Sequence, residues 1–287
     1  MTQSDQQHSA PRQHNGTPIP LPEVPKGVRV IRDVSFGPHE RQAYDVYIPE
    51  GATGPLPVVV FFHPGAWSRR DKQAVRLMFA LEQGFALVSI GYRLAQHAQF
   101  PAQVQDANDG IRHLIEHAKE YQIDVDRMVL TGTSAGAHLA SLACLATSEA
   151  DFHPVPELKP RGVVGIYGAY NLADMIADQD AMEIDHTSID SPLGKMFGEP
   201  PAQRPDLLKK ISPSSYVRSG LPPMLLMHGH EDIVLPWRQT TNFAELLIDA
   251  GTEVTVKVVP GVGHGAEAFR TAPVSDEIIA FIKRVTA

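Results

Sequence analysis

"DRMVLTGTSAGAHLASLACLA", residues 126–146, carries the reading of the fold. Met128 to Thr131 form an apolar run of strand type, and residues 135–147 follow as a helix pattern built from small side chains. Ser134 stands at the junction, with Gly132 and Gly136 two positions to either side. A strand that turns this abruptly into a helix needs small flanking residues, and it presents the residue at the turn at a strand end.

The same alternation continues outward. Residues 28–36 and 43–48 read as a strand hairpin, and further strand-like runs lie at 56–63, 85–92, 162–168, 222–229 and 253–260. Most are continuously apolar and β-branched, as strands covered on both faces are. Helix patterns fall between them at 71–83, 102–121, 237–250 and 274–285. Strand–helix alternation of this kind predicts an α/β fold with a mostly parallel central sheet of about eight strands and helices on both faces. No internal repeat is visible, so residues 27–287 are expected to form one domain. The connection between Gly168 and Pro222 is much longer than a crossover requires, and residues 171–221 are expected to be a small cap insertion. Within it, residues 171–190 carry six acids (Asp174, Asp178, Asp180, Glu183, Asp185, Asp190) and no Lys or Arg. The plain reading is a solvated loop. The alternative is a negative field over the pocket that favours neutral substrates.

Composition narrows the function classes. Hydrophobic residues make up 43% and charged residues 20%, a globular balance, and the formal charge is −8. That acidity speaks against nucleic acid or an anionic membrane as partner. No apolar run reaches the roughly 20 residues of a membrane span. Residues 1–26 are rich in Gln, Pro, Ser and His, lack a signal-type apolar run, and read as a poorly ordered tail, the rival being that Ile19, Leu21 and Val24 tuck onto the domain. The Asn15-Gly16-Thr17 sequon carries little weight without such a signal. Cys144 is the one cysteine, which fits a reducing, cytoplasmic setting. The oligomeric state is left open, a homodimer included.

Gly132-Thr133-Ser134-Ala135-Gly136 fits the nucleophile elbow G-x-S-x-G. A serine hydroxyl needs a base to take its proton, and the base needs a carboxylate to orient it. On a sheet of this type these follow the serine in the order acid, then histidine. Asp232 stands just past strand 222–229, and His264 just past strand 253–260. Glu231 is a close rival for the acid, and the spacing from the strand favours Asp232. The hydrolysis also needs N–H donors for the developing oxyanion. After strand 56–63 the chain reads "HPGAW", His63 to Trp67, which resembles the HGGG motif of lipases and esterases. Gly65, Ala66 and Ala135 are the candidate donors. Pro64 has no N–H, which is harmless if the second and third positions donate and damaging if the first must. Trp67 and Tyr170 are candidates for lining the substrate pocket.

These residues, with "YDVYIP" (44–49), "HPGAW…DK" (63–72), "GYRLAQHAQFPAQVQDA" (91–107), "SPSSYV" (212–217) and "HGHEDIVLP" through "GVGHG", make the chain similar to the hormone-sensitive-lipase-like esterases. Within them it most resembles the bacterial feruloyl-esterase-like carboxylesterase branch. The resemblance covers about residues 28–270. It implies an α/β-hydrolase fold, no cofactor, and hydrolysis of small to medium carboxylic esters by a serine hydrolase through an acyl-enzyme. Where the family reads "YRLAPE" this chain has "YRLAQH", so Gln96 and His97 depart from it. "SAGAHLA" with "HPGAW" also resembles kynurenine formamidases, so an arylformamidase or amidase on the same triad is the alternative. "HGHED" (228–232) resembles the His-x-His-x-Asp of metal-dependent hydrolases, yet a metal site would need further ligands, and no metal is expected. His63 and His138 read as structural, and Cys144 as a small buried hydrophobe. A non-catalytic binding protein on this scaffold would usually lack part of the triad.

Overall fold

The computed structural model of the protein describes residues 22–178 and 182–287. The expected tail lies outside the described residues up to position 21, as does Asp180 of the acidic segment; Val24 packs, partly buried, against the core.

Eight strands build one sheet: β1 Val28–Ser35, β2 Ala43–Pro49, β3 Leu56–Phe62, β4 Ala86–Ile90, β5 Ile123–Thr133, β6 Gly162–Ile166, β7 Met224–Gly229 and β8 Val254–Val259. Their order is β1-β2-β4-β3-β5-β6-β7-β8. β2 pairs antiparallel with both β1 and β4, and the remaining neighbours are parallel. Among the described residues seven α-helices accompany the sheet: α1 Ala102–Tyr121, α2 Ala135–Leu145, α3 Leu172–Ala177, α4 Pro192–Phe197, α5 Pro205–Ile211, α6 Arg238–Asp249 and α7 Val274–Thr286.

The central strands are largely apolar where both faces are covered. Along β3, Val58, Val60 and Phe62 join the core under α1, α2 and α6, while Val59 and Phe61 join the core under α7. Each fully buried Phe stabilises by roughly 1.5–3 kcal/mol relative to exposure. The sheet therefore holds its carboxyl ends in fixed positions, and those ends carry the candidate site.

The helix expected over 71–83 is not formed; only Met78–Gln83 coils, as a 3-10 turn. Lys72 is buried with its Nζ 2.5 Å from Asp33 Oδ1 and 3.2 Å from Asp45 Oδ1, and Arg41 lies 3.5 Å from Asp71. Buried charges must be paired, and pairing these holds the backbone in an irregular path despite the helical spacing of its apolar residues. Between β6 and β7 the chain forms α3, α4 and α5, each too short to stand alone. Ser212 Oγ ties the first and last of them together, accepting from the Leu172 N–H (2.8 Å) and donating to Leu208 O (2.6 Å). Among the described residues no helix is long and apolar enough to cross a membrane.

Candidate active site

Ser134 sits between β5 and α2 with φ 54° and ψ −122°, a backbone state that side-chain-bearing residues rarely adopt. Such a residue costs about 1–3 kcal/mol, which the surrounding structure must offset. Here the Ser134 N–H donates to Ile166 O (2.9 Å), and every residue of α2 is buried. The turn is tight because α2 presses on the end of β3: a Cβ on Gly136 would lie 1.9 Å from Phe62 O. The amino end of α2 thereby faces the space beside the Ser134 hydroxyl, where its dipole favours negative charge.

Asp232 and His264 come from the loops after β7 and β8. Backbone bonds from His230 N to Val259 O (2.9 Å) and from Glu231 N to Val262 O (3.0 Å) join these loops. His264 Nε2 lies 3.0 Å from Ser134 Oγ, and His264 Nδ1 lies 2.6 Å from Asp232 Oδ2. An ionised carboxylate only accepts, so Nδ1 carries the proton and Nε2 is left to accept from the serine hydroxyl. Asp232 is itself held tightly. Its Oδ1 accepts from the Val234 and Leu235 N–H groups (both 2.9 Å), and its Oδ2 also meets His228 Nε2 at 3.1 Å. Burial opposes ionisation of Asp232, but the hydrogen bonds from His228 and His264, the electrostatic pull of the neighbouring imidazole and the Leu235 N–H together hold its carboxyl well below the usual range. Glu231 points away and pairs with His230, which stacks on Trp237. His230 therefore stands apart from His228 and Asp232, and among the described residues no cluster of His, Cys, Asp and Glu could hold a metal.

The 63–67 loop passes the other side of Ser134. Gly65 (φ 131°), Ala66 (φ 50°) and Trp67 (φ 54°) all have positive φ. Gly65 is required: a Cβ there would sit 2.0 Å from Arg69 O. Ala66 takes the third motif position in a left-handed conformation, so its extra methyl is tolerated at a cost in strain. Among the described residues no acceptor takes the N–H of Gly65, Ala66 or Ala135. Pro64 occupies the first position, and its carbonyl accepts from His63 Nδ1 (2.8 Å). Two buried histidines anchor the loop. His63 stacks on Tyr92 at 4.1 Å. His138 accepts from Trp67 Nε1 (3.2 Å) and donates from Nε2 to Ile211 O (2.7 Å). Burial pushes His138 down to about 4, against the Ile211 bond, and pushes His63 well below its usual value with help from Arg41, so both are neutral.

Ser134, His264, Gly65, Ala66, Ala135 and Trp67 line a cavity of about 240 Å³. Tyr170, the other aromatic expected there, lies elsewhere: it is fully buried and stacked on Phe243 at 4.5 Å. Beside Trp67 the cavity wall carries Tyr167, directly after β6, whose ring lies 4.7 Å from His264. Ile184 and His186, from the β6–β7 connection, also contribute, but none of its described carboxylates does. Instead the wall carries Arg69, Arg70 and Arg76, which sequence reasoning passed over. Arg69 and Arg70 follow the 63–67 loop after Ser68, a hint at their place; Arg76 gives no local signal.

Comparison with known proteins places this geometry among relatives. The family model described as BD-FAE matches residues 44–247. Esterase LipC of Mycobacterium tuberculosis is 30% identical over 267 residues, covering 88% of this chain and 65% of that protein. The probable isoprenylcysteine alpha-carbonyl methylesterase ICMEL1 of Arabidopsis thaliana is 29% identical over 244 residues, covering 82% and 51%. This chain thus spans about half to two thirds of the length of these curated relatives. A solved structure, a truncated carbohydrate esterase from gut microbiota, superposes with a TM-score of 0.79 at 25% identity, covering 90% of this chain and 96% of that one.

Proposed function

The chain belongs to the BD-FAE family and has the α/β-hydrolase fold, and from that premise we propose that it is a serine carboxylesterase acting on small to medium esters. The observation that carries this reading is the unbroken chain of contacts from Ser134 Oγ through His264 to Asp232, opening on a cavity. The esterase names borne by the relatives support it.

In this reading Ser134 Oγ attacks the ester carbonyl while His264 Nε2 takes its proton. The Asp232 carboxylate fixes the imidazole tautomer and stabilises the cation. Negative charge gathers on the former carbonyl oxygen, and the N–H groups of Gly65, Ala66 and Ala135 receive it; their lack of other acceptors among the described residues supports that role. The intermediate collapses, the C–O bond to the alcohol breaks, and the alcohol oxygen leaves with the proton from His264. Water then attacks the acyl-enzyme, giving its proton to His264, and the acid leaves as Ser134 is regenerated. Pro64 is harmless because it sits at a position that need not donate. We also propose that residues 171–221 act as the cap, supported by the places of Ile184 and His186 in the cavity wall. We also propose a cytoplasmic setting, supported by Cys144 being the one cysteine, which fits a reducing compartment.

The test is turnover of short aryl esters beside matched formanilides. Ester hydrolysis with a loss of roughly 10⁴-fold in Ser134→Ala is expected. Turnover of the formanilides alone would give the site to the amidase alternative, and near-native ester turnover by Ser134→Ala would remove the assignment.

A further inference from the structure

The protein carries a formal charge of −8, yet the wall beside Ser134 holds three arginines and no carboxylate. Their backbone is set. The Arg69 N–H donates to Gly65 O (3.0 Å), and the Arg70 carbonyl accepts from Arg41 Nη2 (2.5 Å). Several other arginines meet a carboxylate, among them Arg41 with Asp71, Arg93 with Asp106 and Arg270 with Glu267. Among the described residues, Arg69, Arg70 and Arg76 have no ion pair and no side-chain hydrogen bond. They also feel one another. Arg70, though it reaches solvent, is pushed below the usual arginine value by partial burial first and then by Arg76 and Arg69. Arg270 is pushed down by burial and then by Arg76.

Like charges gathered at a cavity without counter-charges repel one another, and an anion in the cavity relieves that repulsion. A guanidinium offers a planar pair of donors that fits a carboxylate. The cluster lines the same cavity as Ser134, and Tyr167 stands next to His264, so a bound anion shares the cavity with the scissile carbonyl. The described acids of the β6–β7 connection do not line this cavity.

We propose that Arg69, Arg70 and Arg76 form a carboxylate subsite, and that the substrates are esters bearing a second, free carboxylate. This rests on the esterase reading of the site. The carboxylate can stand on the acyl side, as in a half-ester of a dicarboxylic acid, or on the alcohol side.

Two matched pairs separate these cases: ethyl hydrogen glutarate with diethyl glutarate, and 3-acetoxypropanoate with its methyl ester. Binding is measured by calorimetry on Ser134→Ala, which holds esters without cleaving them, and kcat/KM is measured on the native protein. At least one charged member should bind roughly tenfold or more tightly than its neutral partner. That gap should shrink in high salt and in the Arg70→Gln, Arg76→Gln double variant, and persist in part with Lys at both positions. The pair with the larger gap identifies the side on which the carboxylate stands. Equal binding within both pairs, tighter binding of the neutral members, or a gap that survives loss of both arginines overturns the subsite. The esterase reading is judged separately by native turnover of the neutral members. Selective binding without any turnover would sink that reading and keep the subsite, and turnover without selectivity would do the reverse.

Discussion

Asp232 makes four contacts with its two oxygens, and two of them are backbone N–H groups from its own loop. This fixes the carboxylate so that it can fix His264 in turn. An amide at that position would offer a donor where Nδ1–H needs an acceptor, and would favour the wrong tautomer. Asp232→Asn is therefore expected to lower kcat by roughly 10⁴-fold with the fold retained, while Glu231→Gln, which alters only an exposed pair with His230, stays close to native. Steady-state kinetics with circular dichroism checks both. A severe loss in Glu231→Gln with a mild one in Asp232→Asn would reverse the assignment of the acid. The same scale explains Tyr170. An aromatic just past a strand end reads as a pocket residue, but a ring stacked on Phe243 beneath the sheet satisfies the same local pattern.

At the scale of elements, the close approach of α2 to β3 sets the position of the nucleophile. Gly136→Ala would drive a methyl into Phe62 O, and backbone cannot yield as a flexible side chain can. It should cost at least about 1–3 kcal/mol and abolish turnover, because relieving the clash moves Ser134 from its elbow. Thermal unfolding and ester kinetics read the two effects; a native melting temperature with native turnover would contradict this packing. Such contacts also explain what could be read in advance. Most of the strands were legible because strands covered on both faces are largely apolar, and the Ser, Asp and His positions were legible because each follows a strand end. The 71–83 segment was misread because its apolar spacing is helical while its fold is decided by Asp33, Asp45 and Arg41, distant in sequence. The three short helices between β6 and β7 were illegible in detail because none is long enough to show a period. The arginine wall was illegible because only the folded sheet brings Arg76 beside Arg70 and Tyr167.

Across the whole molecule, Trp67, His138 and Ile211 join the 63–67 loop, the nucleophile helix and α5 through one neutral imidazole. Burial holds His138 near 4 in the folded protein against 6.5 unfolded, so between those values the unfolded chain binds the extra proton. Stability contributed by this group is thus complete above about 6.5 and is lost as pH falls toward 4, a loss of about 3 kcal/mol from His138. His63, also depressed by burial, acts in the same direction. Urea unfolding across that interval should show the loss, and His138→Gln, which can still accept from Trp67 and donate to Ile211, should show distinctly less of it. Parallel pH dependences in the two proteins would contradict the assignment. The central claim, that Ser134 is the nucleophile of an acyl-enzyme, is tested most directly by treating the native protein with a fluorophosphonate and mapping the adduct by mass spectrometry. The account predicts one phosphonyl group per chain on Ser134, with ester turnover falling in step with labelling. An adduct on another residue, or full labelling of Ser134 with turnover intact, would contradict it.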